Sequence, residues 1–472
     1  MPPEKLLIKD RKGYPLITYL TAFGLLILIS LVVGILLIRQ APEDETSPFS
    51  AAYASDPGPE QATTTGHDDG LMPANTNAGP SMDEREYAQK FESIALSAQY
   101  LVRAIQDNGR FTYRINLNPS ITHKPRYNVL RHAGTMYALG MYHDLTMNDE
   151  AKSALQSAGK FLRYHCIAPV AEENGLLAVW SRPELNGTDA AVQAKLGGSG
   201  LGLVGLLSLE KASPGTTSLD DLRGLGRFIL FMQKEDGSFY SKYIPSKGGR
   251  RDNWTSLYYP GEAALGLIML HGHDPNPHWL EGATKALIFL ARTREDQDEV
   301  PADHWALLAS AQLMTLYRDT LSDVEQSMLL RHTIQISERI LSQQVSLTDS
   351  ALLLGGFTKD GRTTPTATRL EGLLAALEVI PNRNTKIRKR IAKSVQRGMV
   401  FLTNAQVLTG EHAGAMPRAI RQLPDDGTSK VKSFNRRATE VRIDYVQHAL
   451  SAMIQYVDAF GPEHDRTAQV GN

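Results

Sequence analysis

The stretch Leu196–Leu209, LGGSGLGLVGLLSL, is apolar or small at every position. A helix built from it has no polar face to turn to water, so it is buried on all sides. Its glycines let neighbouring helices approach closely. Two further stretches read the same way: GEAALGLIML (Gly261–Leu270) and ALLASAQLM (Ala306–Met314). Working outward, the segments between such stretches have a different character, each amphipathic with one charged face. The pattern predicts outer helices near 83–107, 149–165, 218–234, 276–294, 322–345 and 384–405. Buried helices are expected near 127–145, 188–209, 255–271, 302–318, 366–379 and 438–459. Twelve helices that alternate in this way make six hairpins, and the economical closed arrangement is a double ring with buried helices inside. A superhelical solenoid is the alternative, but no repeat of fixed period supports it.

The chain has 472 residues, 42% of them apolar and 21% charged, so it can bury a large core. Its formal net charge of -1 gives no global signature of a nucleic-acid binder. The single cysteine, Cys166, excludes an intramolecular disulfide and a cysteine-based zinc cluster, and reads as a small buried apolar residue.

From Gly13 to Ile38 there is no charged residue, which is long enough to cross a bilayer. Lys5, Lys9, Arg11 and Lys12 precede this run and only Arg39 follows closely, so the positive-inside rule places the N-terminus in the cytoplasm. The apolar run is too long for a cleaved signal peptide, and an uncleaved anchor is expected. Residues 41–82 hold seven acidic residues and no lysine or arginine among Pro, Ala, Thr and Gly, the composition of a tether. With +3 in residues 1–40, -7 in the tether and -1 in total, the remainder carries +3. The expected organisation is a cytoplasmic tail (1–12), a transmembrane helix (13–39), a linker (40–82), a helical domain (83–462) and a disordered C-terminal tail (463–472).

Two linkers share a pattern. AIQDNGRFTYRIN (Ala104–Asn116) and FMQKEDGSFYSKY (Phe231–Tyr243) each follow an outer helix with a glutamine, a glycine turn and an aromatic, strand-like segment. With the helical rhythm, they make Asp83–Phe460 resemble the α/α-toroid superfamily of six-hairpin glycosidases, sugar epimerases and terpenoid cyclases. RGLGRFILFMQKEDGSF (Arg223–Phe239) is similar to the Gln-aromatic repeat of the cyclases. The resemblance implies an all-α (α/α)6 barrel. It is specific for fold and weak for chemistry.

In such a barrel all inner helices run the same way, so their N-termini meet at one mouth. Polar residues gather at these starts and disappear downstream. They are Tyr127, Arg131 and His132, then Asp189, Gln193 and Lys195, then Asp252, Asn253, Tyr258, Tyr259 and Glu262, then Asp303, His304 and Trp305. Arg369 and Glu371 follow, then Arg442, Asp444, Tyr445 and His448. Helix capping explains acidic residues there, but not arginines, which are disfavoured near N-termini. The alternatives are buried ion pairs, such as Arg369–Asp444 or Arg131–Glu371, and a polar cavity for a ligand.

For chemistry, glycoside hydrolysis needs a protonated and an ionised carboxyl. Glu262, desolvated beside Tyr258 and Tyr259, suits the acid, and Asp303 or Asp444 the base or nucleophile. A lyase or epimerase would use Tyr258, His132 or His304 as base, with arginine on a substrate carboxylate. Arg131, Tyr127, Tyr259, Asp252, Trp305, Arg369, Glu371, Arg442, Tyr445 and His448 are the candidate substrate-binding residues. No His-x-x-x-His pair on one helix supports zinc, so neither metal nor cofactor is expected. Gly197–Gly202, GGSGLG, lacks a preceding strand and a following Lys-Ser/Thr, and reads as packing and not a phosphate loop. The loop Pro417–Arg437, rich in Arg and Lys, reads either as solvated or as a contact for an anionic polymer. The expected function is a membrane-anchored, externally facing carbohydrate-active enzyme (hydrolase, lyase or epimerase) acting on a cell-surface or exported polysaccharide. The alternative is an inactive polymer-binding scaffold in a polysaccharide biosynthesis or export complex. The expected location is the inner membrane, with the barrel in the periplasm or outside.

Overall fold

Among the described residues, twelve helices of thirteen residues or more alternate between two environments. The computed structural model describes residues 82–462 apart from 172, 348 and 349. The outer set is α1 (Glu84–Ala104), α3 (Asp149–Phe161), α5 (Leu219–Phe231), α7 (Pro277–Arg294), α9 (Asp323–Ser342) and α11 (Thr385–Ala405). Alternating with them are the inner helices α2 (Val129–Thr146), α4 (Leu196–Ala212), α6 (Tyr259–His273), α8 (His304–Leu316), α10 (Thr363–Val379) and α12 (Ile443–Phe460). The inner helices pack in the order α2, α4, α6, α8, α10, α12 and back to α2, so the ring closes. A closed ring excludes the solenoid. On α4, fifteen consecutive residues from Leu196 to Glu210 are buried.

Close helix approach is visible at Gly200. A Cβ there would lie 2.8 Å from the Glu262 carbonyl oxygen of α6, tighter than any methyl group tolerates. The glycines of Gly197–Gly202 therefore serve packing, in agreement with their reading as a packing motif.

The connections are strongly unequal. Inner helices pass to outer ones through short links at 147–148, 213–218, 274–276, 317–322 and 380–384. The opposite links, at the inner N-termini, are long and contain every strand found among the described residues. β1 (Arg114–Asn116) pairs antiparallel with β7 (Glu440–Arg442), setting Arg114 opposite Arg442. A five-stranded antiparallel sheet runs in the order β2 (Ile167–Pro169), β3 (Leu177–Ser181), β4 (Gln193–Lys195), β5 (Lys242–Ile244), β6 (Gly249–Arg251). These strands correct two expected helix starts. Residues 188–195 and 438–442 do not continue α4 and α12, because the chain there pairs across the mouth instead.

The two similar linkers form the same structure. Ile105 bridges Phe111, and Gln233 bridges Phe239, each across a turn whose glycine has a left-handed φ, +81° at Gly109 and +95° at Gly237. Each glycine seats on the backbone of the next outer helix: Gly109 on the Ser157 carbonyl of α3 and Gly237 on that of Lys285 in α7. The device locks outer helix to outer helix.

The expected tail (1–12), membrane span (13–39), all but the last residue of the linker (40–82) and the C-terminal tail (463–472) lie outside the described residues. Among the described residues no helix is long and apolar enough to cross a membrane.

Gly237→Ala is expected to lower the unfolding free energy by about 2–3 kcal/mol, combining left-handed strain with overlap on α7. Gly248, at φ +81° with open space for 4 Å around the place a Cβ would take, separates the two effects. Its alanine variant should lose only about 1 kcal/mol by denaturant titration, and equal losses at both positions contradict the seating.

Candidate active site

Inner helices α8, α10 and α12 are consecutive in the ring, so their first turns converge on one side of the mouth. His304 opens α8, Glu371 lies in the third turn of α10, and His448 lies in the second turn of α12. His448 Nδ1 is 2.8 Å from Glu371 Oε2, and His304 Nε2 is 3.9 Å from the same oxygen. The two imidazole rings stand 5.4 Å apart between centroids at 76°. Tyr258 meets the His304 ring edge-on at 5.0 Å, and Trp305 lies 6.2 Å from His448. Tyr137 of α2, which the sequence reading missed, adds a ring 6.4 Å from Trp305. Its only signal was a large aromatic in the small-residue run of α2.

Burial grades across this group. The side chains of Glu371 and His304 are 1% and 2% exposed, that of His448 is 12%, and Tyr258 is 37% exposed. The cluster is thus a floor reached past an open rim. Neither His304 nitrogen nor Glu371 Oε1 has a hydrogen-bond partner within the protein. Buried polar atoms left without partners are costly, and they mark places where a ligand or water completes the bonding. Burial pushes the His304 pKa well below its usual value, helped by His448 and Arg369, so its imidazole is neutral. Burial raises the Glu371 carboxyl, and His448 opposes that rise.

A second cluster adjoins the first, one helical turn earlier on α12. Arg442 grips Asp444 with two hydrogen bonds, of 2.6 and 2.8 Å, and Arg131 Nε of α2 lies 3.1 Å from the same carboxylate. Burial would raise the Asp444 pKa, but the two guanidiniums overcome it and hold the carboxyl far below the usual range. Arg131 also donates to the Tyr113 hydroxyl, and Arg442 stacks 4.5 Å from the Tyr445 ring. The Tyr445 hydroxyl donates to Glu440 at 2.9 Å. The ion pairs expected from sequence were mismatched: Asp444 takes Arg131 and Arg442, while Glu371 takes His448. Arg369 instead donates to Gln343 at 2.9 Å and to the Pro365 carbonyl at 3.1 Å.

The other candidates are placed elsewhere. Asp303, completely buried, caps α8 by accepting from Ala306 N at 3.1 Å and pairs with Arg294 of α7 at 2.9 Å. Both its oxygens are engaged and its side chain is shut off from the surface, a capping and ion-pair role and not the expected role of base. His132 faces outward and not into the pore. Its Nε2 lies 3.0 Å from the Ala158 carbonyl of α3, and its Nδ1 lies 2.7 Å from the Tyr127 hydroxyl. Tyr127 also accepts from Phe111 N at 3.1 Å, so both residues are packing between α2 and α3. Burial lowers the His132 pKa to about 4. Asp252 is an exposed partner of Lys234 on a mouth loop, and Tyr259 is buried against Trp254 with ring centroids 5.7 Å apart. Glu262 is buried with Oε2 unpartnered, pressed against Gly197 of α4. Burial, with Asp303 adding to it, raises its pKa to about 8, so it holds a proton at neutral pH.

His304, Glu371 and His448 each offer a ligand atom, all within 4.8 Å of one another. Two imidazoles and a carboxylate suit a divalent transition metal by donor type. The expectation of no metal rested on spacing within one helix, and these donors come from three.

No protein-family model matches this chain, and no curated protein sequence matches it. Solved structures do. A cellobiose 2-epimerase from Bacillus thermoamylovorans B4167 superposes with TM-score 0.59 at 11% identity, covering 80% of this chain and 100% of its own. A sugar epimerase from a ruminal bacterium gives 0.57 at 13% identity, covering 78% and 98%. The GH76A α-1,6-mannanase of Salegentibacter sp. HEL1_6 gives 0.51 at 12% identity, covering 78% and 99%. The chain has the six-hairpin α/α-toroid fold. At these identities the likeness concerns the toroid alone, and the site's chemistry must come from its own residues.

Two outcomes test the assignments within the toroid. Asp303→Ala leaves Arg294 buried without its partner and is expected to lose about 3–5 kcal/mol of stability in denaturant unfolding. Glu262 keeps its proton when folded, whereas the unfolded chain releases it near pH 4.5. Its contribution to stability is therefore full below that pH and lost as pH rises to about 8. Glu262→Gln should gain stability over the parent between pH 5 and pH 8, and an unchanged difference contradicts a buried neutral acid.

Proposed function

We propose that this toroid is a carbohydrate-modifying enzyme that moves a proton at the sugar carbon beside the carbonyl, giving an epimer or an isomer. The observation that carries the reading is the 2.8 Å His448–Glu371 contact beneath a neutral, unpartnered His304. Such a reaction needs one base to remove the carbon-bound proton and one acid to return a proton, to the opposite face or to the neighbouring carbon. Two imidazoles 5.4 Å apart put two groups able to hold a proton side by side. The Glu371 carboxylate lies against His448 Nδ1, which leaves Nε2 as the acid–base atom and steadies the imidazolium when it forms. An open-chain sugar would lose its proton to one histidine, pass through an enediolate, and regain a proton from the other. Tyr258, exposed beside His304, offers a ring for a sugar face.

Hydrolysis fits less well, because it needs two carboxyls free to meet the substrate. Asp303 and Asp444 are held by arginines, which leaves Glu262 and Glu371 on the buried floor. The superposed structures include sugar epimerases and a D-mannose isomerase, alongside a mannanase and a polysaccharide lyase, and support sugar chemistry in general. The apolar run at 13–39 and the tether after it support an anchored enzyme facing outward, working on a cell-surface or exported saccharide. A second reading, favoured by the three convergent ligand atoms, makes the same trio a metal centre.

The full-length protein, incubated with reducing mono- and oligosaccharides, should yield an epimer or ketose by chromatography. His304→Gln and His448→Gln should each lower kcat by about 10²–10⁴ while the saccharide still binds. New reducing ends, or full activity in both variants, contradict the reading. One equivalent of metal by elemental analysis, with activity lost on chelation, reassigns the trio as ligands.

A further inference from the structure

Glu440 is the structural centre of an arginine cluster that the proton-transfer reading leaves unused. It sits on β7, 2% exposed, immediately before α12. Arg114 of β1 approaches it at 3.4 Å and Arg437 at 3.3 Å. Arg418 donates its backbone N–H to the Glu440 carbonyl at 2.7 Å and lays its guanidinium 4.8 Å from the Phe434 ring. One turn on along the chain follows the Arg442–Asp444–Arg131 group. Across the two groups, Arg114, Arg131, Arg418, Arg437 and Arg442 gather around two carboxylates, Glu440 and Asp444, an excess of three positive charges.

Structural ion pairing does not account for that excess. Two carboxylates can neutralise two guanidiniums, and the other three repel one another in a partly desolvated setting. Two donors also lack any partner: Arg114 Nε and Arg418 Nη1 are shielded from water with no acceptor among the described residues. The position worsens the balance, because the cluster lies at the positive ends of α12 and α2, where cations are disfavoured and anions favoured. Guanidinium forks match a planar carboxylate or a sulfate oxygen pair in geometry. Arg437 keeps the group accessible, its side chain 45% exposed.

We propose that this cluster is an anion subsite at the mouth, and that the saccharide this site takes carries an acidic group, a uronate carboxylate or a sulfate ester. The inference rests on the sugar-acting reading for its placement, since Asp444 lies one turn before His448 on α12. A unit bound on the histidine floor would set its acidic group, or that of the adjoining unit, on the arginines. The loop Pro417–Arg437 then contacts an anionic polymer, one of the two readings its composition allowed.

The test is calorimetric titration of the full-length protein with three oligosaccharides of equal length: neutral, uronate-containing and sulfated. An acidic ligand should bind about tenfold or more tightly than the neutral one, the worth of one or two charge-assisted bonds. That preference should fade with added salt. Arg418→Gln should remove about tenfold from the acidic affinity and leave the neutral affinity unchanged. Arg437→Gln, at an exposed position in contact with Glu440, repeats the test where Arg418→Gln fails to fold. Whether uronate or sulfate gains most identifies the anion. Equal affinity for neutral and acidic ligands, no loss in either variant, or no binding of any of the three overturns the subsite. Turnover is read separately: an acidic ligand bound but unchanged keeps the subsite and defeats the proton-transfer reading, while turnover without acidic preference does the reverse.

Discussion

Six inner helices that run in one direction must close a ring, and this constraint governs the rest of the molecule. Closure requires backbones to approach within side-chain reach, which only glycine and alanine allow. Gly200 against α6 and Gly261 against Trp305 and Ala306 of α8 are such contacts. Parallel inner helices also place all their N-termini on one face. The short links then fall on the opposite side, and the long links, with both small sheets, fall around the mouth. The site thus sits where the chain has most freedom to vary, on a scaffold with little.

The electrostatics follow from that arrangement. Side chains on the first turns of inner helices lose water as they enter the ring, and their protonation is set by what meets them there. Asp444 meets two guanidiniums and stays ionised, while Glu262 meets Gly197 and Tyr259 and keeps a proton. His304 meets rings and another imidazole, and stays neutral. Three types of environment lie within a few turns of one another, which gives the mouth groups with different proton affinities side by side.

Much of the fold was legible in the sequence, for a physical reason. A helix with no polar face must be interior, and α4, α6 and α8 announce themselves as LGGSGLGLVGLLSL, GEAALGLIML and ALLASAQLM. The paired linkers at Gly109 and Gly237 were also legible, because a left-handed turn selects glycine. Helix starts at 188 and 438 were misread, since short strands at the mouth pair through backbone groups that carry no side-chain signal. The site was legible as a set of residues and illegible as a geometry. Position along a helix says that His132 and His448 both lie near N-termini, but a rotation about the helix axis sends one to Ala158 of α3 and the other to Glu371 in the pore. Asp303 looked like a base because Arg294, its partner, belongs to a different and outer helix. Tyr113 and Tyr137 were passed over, one in a linker and one among small residues, and only the closed ring brings them to the mouth.

If the histidine floor carries a proton to and from a sugar carbon, the most direct measurement is incubation of the full-length protein with a reducing saccharide in heavy water, followed by proton NMR of the recovered sugar. Deuterium is predicted at the carbon next to the carbonyl, because an imidazole that has taken the proton exchanges it with solvent before returning one. A transformed sugar that carries no deuterium at that carbon would contradict proton transfer by the histidines.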